Sequence, residues 1–130
     1  MTTLATRPVG AMIPVSDLAR SRAFYEGRLG LQGMAVPGGA SLTAGNGTTI
    51  YLLAVADYAG VATWPLASFR ADDLAAVVAD LRAHGIALEQ IDDGPQQTDE
   101  RGIANLDGTL LAWIRDPDGQ VLSIYQPASG

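Results

Sequence analysis

The side chains able to do chemistry are few in this sequence, and their types narrow what it can do. There is no cysteine and a single histidine, His84. The missing thiols exclude disulfides, thiolate metal sites and cysteine nucleophiles. His84 stands in "LRAHG", where a helix should end, and reads as a surface residue interacting with the helix C-terminal dipole. The acids gather at helix starts, at turns and in the 92–100 stretch. Asp116 and Asp118, in "RDPDGQ", belong to a tight turn in which carboxylates bond local backbone. What remains is a set of hydroxyls and guanidinium groups on alternating segments: Tyr51, Ser68, Arg70, Arg115, Ser123 and Tyr125. General acid–base catalysis needs a group titrating near neutrality, and none of these does so ordinarily. Such a set is suited to holding and orienting a small molecule rather than to moving protons.

Composition limits the partners. The chain has 130 residues, 48% of them apolar, enough for one sizeable core and for a single domain. Net charge is −6, from 14 acids against 8 basic residues. No basic cluster exists beyond Arg20, Arg22 and Arg28 on one helix, so neither nucleic acid nor an anionic membrane is an expected partner. No apolar run approaches the roughly 18–20 residues of a membrane helix. The start "MTTLATRPVGAM" has no long apolar run of the secretory kind, and a cytoplasmic location is expected.

The elements that must position these residues occur twice. "VSDLARSRAFYEGRLGL" (15–31) and "RADDLAAVVADLRAHGI" (70–86) each follow an alternating segment, and each contains Asp-Leu, a helical run and a glycine. Asp17 and Asp73 fall at N-cap positions, Gly30 and Gly85 at left-handed C-caps. Leu74, Val77, Val78 and Leu81 make an apolar stripe on the second helix; Leu18, Ser21, Phe24, Tyr25 and Leu29 make a less pure one on the first. Strands are expected at about 9–15, 32–36, 40–44 and 48–55, then at about 65–71, 87–91, 108–115 and 120–126. Asn46-Gly47 and "DPDG" supply the hairpin turns. The polar segment between 92 and 108 reads as a mobile rim loop able to act as a lid. Each half is thus β-α-β-β-β, the mark of an internal duplication. Module one covers about 8–57 and module two about 63–127.

That duplicated pattern, with "IPVSDLARSRAFYEGRLGL" in one half and "FRADDLAAVVADLRAHGI…WIRDPDGQVLSIYQ" in the other, resembles the vicinal-oxygen-chelate superfamily of glyoxalases, bleomycin-resistance proteins and extradiol dioxygenases. The likeness runs over nearly the whole chain. It implies an α+β fold in which the two modules form an open, cupped eight-stranded mixed sheet, with helices outside and a ligand cleft inside. It also implies a homodimer.

In metal-using members the ion is held by residues of the first and last strands of the modules. Taken over one position at a time, the first-strand histidine, five residues before Val15, is Gly10 here. The second-module histidine, three residues before Phe69, is Leu66. The glutamate four residues after Gly119 is Ser123, and the matching place after Gly47 is Tyr51. Glycine and leucine offer no donor, and neutral hydroxyls are weak ligands for a hard divalent ion. No metal or other cofactor is therefore expected, nor metal-dependent glyoxalase or dioxygenase activity.

Strand alternation sends Ala11, Ile13 and Val15 under the helix and Gly10, Met12 and Pro14 to the cleft. By the same rule the cleft takes Met12, Tyr51, Leu53, Leu66, Leu111, Trp113 and Tyr125, hydroxyls at Thr49, Ser68 and Ser123, and cations at Arg70 and Arg115. An apolar, aromatic lining with few polar anchors is how small-molecule sites are built. The expected ligand-binding residues are Met12, Tyr51, Leu66, Ser68, Arg70, Trp113, Arg115, Ser123 and Tyr125. Trp113 is expected on the cleft floor, where its removal would weaken binding and spare the fold. The reading that follows is a metal-free protein binding an aromatic or amphipathic small molecule. The alternatives are an enzyme of the same fold (a lyase, isomerase or dioxygenase-like catalyst without the usual metal site) and a scaffold subunit whose cleft is filled.

Overall fold

Alternating strands and one capped helix build the same small unit twice. The computed structural model describes residues 3–129, and the chain divides into two compact units that meet between residues 59 and 60. In the first unit, β1 (Gly10–Val15), α1 (Leu18–Arg22), β2 (Gln32–Val36), β3 (Gly39–Thr43) and β4 (Thr49–Ala54) follow in sequence. The sheet order is β1-β4-β3-β2, with β1 parallel to β4 and the other pairs antiparallel. In the second, β5 (Ser68–Arg70), α2 (Leu74–Ala83), β6 (Ala104–Leu106), β7 (Thr109–Arg115) and β8 (Val121–Gln126) follow. Their order is β5-β8-β7-β6, with β5 parallel to β8. Each unit is therefore a four-stranded mixed sheet of α+β type with one topology repeated. Among the described residues no helix is long and apolar enough to cross a membrane.

The caps sit where the Asp-Leu pairs place them. Asp17 Oδ1 accepts from the Arg20 N–H at 3.0 Å, and Asp73 Oδ1 from the Ala76 N–H at 3.2 Å. Gly30 and Gly85 adopt φ of +79° and +77°, the left-handed conformation that ends a helix. On α2, Leu74, Val78 and Leu81 are buried, and the helix packs on β7 and β8. Asn46 and Gly47 turn the β3–β4 hairpin with positive φ, and Gly119 does so between β7 and β8.

The two helices differ by one residue, and the fold absorbs the difference locally. Asp17 and Gly30 are thirteen positions apart, Asp73 and Gly85 twelve. The helix of the first unit is α-helical to Arg22 and continues as a π-helix over Ala23–Arg28. There the Leu29 N–H donates to the Phe24 carbonyl at 3.0 Å, a bond spanning five residues. A π turn holds an extra residue without breaking the helix. Ser21 and Tyr25 stay fully buried on one face, with Phe24 edge-on to Tyr25 at 5.2 Å. Arg22 Nε donates to Glu26 at 2.5 Å. Glu26 also accepts from the Gly33 N–H, and a Cβ at residue 33 would lie 2.6 Å from the Glu26 carboxyl carbon. Gly33 thus lets the π turn seat its carboxylate on β2.

Two expectations need correction. Residues 87–91 do not form a strand; one bond, from the Glu89 N–H to the Trp113 carbonyl at 2.9 Å, ties them to β7. The fourth strand is instead β6, inside the stretch read as a rim loop, and it pairs with the other end of β7 through Ala104↔Leu111 and Leu106↔Thr109. The edge of β7 is therefore shared by two separate segments. The loop between them is fastened to itself. Asp99 Oδ1 accepts from the N–H groups of Arg101 and Ile103 at 2.9 and 3.0 Å, and Thr98 and Ile91 bond each other through both backbone and hydroxyl. The strand expected over 65–71 is likewise shorter, Ser68–Arg70, although the Ala67 carbonyl still accepts from the Ser123 N–H.

Candidate functional site

The site residues lie on the sheet faces turned away from the helices, and the two units present different surfaces there. In the first unit, Ile13, Val15, Ile50 and Leu52 are buried on the helix side. The opposite parity is open, with Met12 56%, Tyr51 39% and Met34 65% exposed. Register aligns Met12 with Tyr51, Tyr51 with Ser41, and Ser41 with Met34, so one row crosses all four strands. Met34 and Ser41 were not among the expected site residues. The alternation of β2 and β3 is visible in the sequence, but their pairing with Tyr51 depends on register.

In the second unit the corresponding face is largely closed. Trp113 is only 8% exposed, packed with Ala104, Val121, Leu111 and Ile91. The expectation that its removal spares the fold is corrected by this packing: Trp113 belongs to a buried cluster against which Ile91, in the segment after α2, also packs. Ser123, opposite Trp113 in the ladder, is also buried, and its hydroxyl donates to Ser68 Oγ at 2.7 Å. Arg115 is committed: Nε donates to Glu89 Oε1 at 2.7 Å and Nη1 to the Gly119 carbonyl at 2.8 Å. Arg70 is exposed beside half-buried Tyr125, its register partner. Leu66 is half-buried just before β5. Of the nine expected ligand-binding residues, Met12 and Tyr51 meet on the first sheet. Ser68, Arg70, Trp113, Arg115, Ser123 and Tyr125 share one face of the second, with Leu66 next to its β5 edge.

The turn residues behave as structure. Asp116 Oδ1 accepts from the Asp118 and Gln120 N–H groups, both at 2.9 Å. Buried Gln120 donates to the Trp64 and Val121 carbonyls, each at 3.1 Å. His84 bonds the Asp80 carbonyl at 2.8 Å at the end of α2, on the surface.

The four positions that hold a metal in related folds do not fit one here. A Cβ on Gly10 would lie 3.0 Å from Tyr51 Cε2 and 3.0 Å from the Thr49 carbonyl oxygen. The Tyr51 ring therefore occupies the space a first-strand ligand would need. Leu66 has no donor, and the Ser123 hydroxyl is spent on Ser68. Among the described residues no group of three or more histidine or carboxylate side chains is disposed to hold an ion.

A separate open groove of about 420 Å³ is lined by Gln97, Thr98, Asp99, Arg101, Ile103, Asn105 and Leu110. Leu110 alternates with Leu111 and Trp113, so this groove lies on the other side of β7 and includes none of the expected site residues.

TnmS3, an antibiotic binding protein from Streptomyces sp. CB03234, superposes with a TM-score of 0.69 at 25% identity, covering 98% of this chain and 100% of that one. A bleomycin resistance determinant encoded on the transposon Tn5 gives 0.70 at 26% identity, covering 93% and 98%. A glyoxalase/bleomycin resistance protein/dioxygenase from Alicyclobacillus acidocaldarius gives 0.71 at 15% identity, covering 93% and 91%, a likeness of fold alone. No curated protein sequence matches significantly. The family model for the glyoxalase/bleomycin resistance protein/dioxygenase superfamily matches residues 7–124, which takes in both β-α-β-β-β units from β1 into β8. With the same strand order built twice and that match over nearly its full length, the chain belongs to the glyoxalase/bleomycin resistance protein/dioxygenase superfamily.

Proposed function

We propose that this protein binds an aromatic or amphipathic small molecule without a metal, in the manner of the resistance and antibiotic-binding branch of its superfamily. The observation that carries the reading is the pairing of Gly10 with Tyr51: the first-strand ligand position is empty of a side chain and an aromatic ring lies over it. Exposed Met12 and Met34 extend that ring into an apolar row of the kind that accepts flat or greasy ligands. On the second unit's own helix-distal face, exposed Ser68 and Arg70 with half-buried Tyr125 and Leu66 are the accessible members of the expected set, while Trp113 and Ser123 are buried and Arg115 is tied to Glu89. The name of TnmS3, an antibiotic binding protein, supports a binding role rather than a catalytic one. In this reading the two units form one domain, the protein acts in the cytoplasm, and it works as a homodimer.

Titration of the purified protein with a panel of aromatic antibiotics, followed by tryptophan emission, is the direct test. Saturable binding is expected, unchanged by dialysis against a chelator. Stoichiometric zinc, nickel, manganese or iron, with binding lost when the metal is stripped, would overturn the metal-free reading. Sedimentation showing a monomer throughout the micromolar range would overturn the dimer.

A further inference from the structure

We infer that the second unit selects for an anionic group on the ligand, and that Arg70 is the specificity-determining residue. The inference rests on the small-molecule reading above and adds the ligand's charge class. Its observations come from the second unit alone. Ser68 and Arg70 are successive residues of one parity on β5, and the Ser123 hydroxyl bond to Ser68 fixes which face that parity takes. Tyr125, two residues along from Ser123, shares that face and is the register partner of Arg70.

Hydrogen bonding fixes the polar groups of the β5 edge. The hydroxyls of buried Ser123 and exposed Ser68 bond each other at 2.7 Å, and the Ser68 hydroxyl keeps a further polar contact for the solvent side. Among the described residues no carboxylate, carbonyl or hydroxyl pairs with the Arg70 guanidinium. The other arginine of this face, Arg115, is tied to Glu89 and to the Gly119 carbonyl. The strand residues of β5, β7 and β8 that alternate onto the face include no aspartate or glutamate. A guanidinium with no protein partner among the described residues, on the same face as an exposed hydroxyl and a tyrosine ring, complements a planar ligand carrying a carboxylate or sulfonate. Arginine presents paired N–H donors to such a group, and charge-assisted bonds are the stronger kind.

Two fluorescent probes of like shape separate the claims: 8-anilino-1-naphthalenesulfonate, which is anionic, and N-phenyl-1-naphthylamine, which is neutral. The wild type is expected to bind the anionic probe about tenfold more tightly, the scale of one charged hydrogen bond. Arg70→Gln is expected to abolish that preference by weakening the anionic probe about tenfold more than the neutral one. Arg70→Lys should restore part of it, and Arg7→Gln, which removes a cation from the other unit, should leave it intact. Equal affinity of the two probes for the wild type would overturn the inference and leave the binding reading standing. So would a loss of preference from Arg7→Gln as large as from Arg70→Gln. Failure of both probes to bind would overturn the inference together with the binding reading.

Discussion

The two units share order, caps and turns, yet their helix-distal faces have opposite character. In the first, Met12, Met34 and Tyr51 stand open to solvent in a row. In the second, Trp113, Val121 and Ser123 are buried at the equivalent depth of the sheet, and the only strongly exposed β5 side chains are Ser68 and Arg70. The paired positions make the contrast plain: Met12 faces Tyr51 in one unit, and Ser68 faces Ser123 in the other. Topology sets which residues share a face. What packs on that face is set partly by the connecting segment after α2, here through Ile91. Duplication therefore supplies a scaffold twice, and each copy is free to turn its second face into core or into surface.

The largest effect expected from this contrast is at the aromatic positions. Trp113→Ala should destabilise the protein by about 3–5 kcal/mol, the range for a buried tryptophan, because it empties a cluster rather than trimming a surface. Tyr51→Ala, on the open face, should cost about 1 kcal/mol or less. Urea unfolding of both variants checks the pair. Similar losses at the two positions would mean that Tyr51 is as much a packing residue as Trp113, and the contrast between the faces would fail.

A smaller effect is expected at Gly10. A side chain there meets the Tyr51 ring and the Thr49 carbonyl at 3.0 Å. Gly10→His should destabilise by about 1–3 kcal/mol through overpacking. In a Tyr51→Ala background the penalty should shrink, because the ring is the movable obstacle. A double-mutant cycle in thermal or urea unfolding measures this coupling. Additive losses would show that the Thr49 backbone, not the ring, refuses the side chain.

The smallest effect is electrostatic, and it has one representative in each unit. The Arg22 guanidinium holds the Glu26 carboxyl below the usual glutamate range, against partial desolvation. Around Asp99, burial opposes ionisation, but Arg101 and the N–H groups of Ile103 and Arg101 outweigh it and the carboxyl again lies below its usual range. A carboxylate with a depressed folded pKa stabilises the protein above its unfolded value, about pH 4, and this contribution fades as pH falls towards the folded value. Stability should thus decline below about pH 4 with both groups contributing. Arg22→Gln and Arg101→Gln should each flatten the decline by a similar, modest amount, since both pairs face solvent. Urea midpoints followed through the acid range decide it; an unchanged acid limb in both variants would assign the loss to other carboxylates.

Much of this was legible in advance because it depends on near neighbours. Asp17, Asp73, Gly30 and Gly85 announce their caps through requirements met within one helical turn, and Asn46-Gly47 and "DPDG" announce hairpins through φ alone. Alternation likewise placed Met12 and Tyr51 on one face and Ile13 and Leu52 on the other. The strand at 87–91 was misplaced because its apolar pattern suits a strand, while the edge it would occupy is divided with residues 104–106. The π turn was foreshadowed only as a spacing of thirteen instead of twelve, a number without meaning until the second helix stands beside it.

By itself the sequence determined the duplicated β-α-β-β-β order, the helix ends, the turns, the parity of each strand and the lack of imidazole or carboxylate at the metal positions. All are consequences of local backbone preference or of side-chain chemistry, which travel with the residue wherever it is placed. The tertiary structure decided the rest: that the Tyr51 ring fills the space above Gly10, that Ile91 packs against the cluster holding Trp113, that Ser123 bonds Ser68, and that Arg115 is taken by Glu89 while Arg70 is not. These facts join residues from about twenty to more than fifty positions apart. Strand register and the packing of connecting segments bring them together, and no local preference encodes either one.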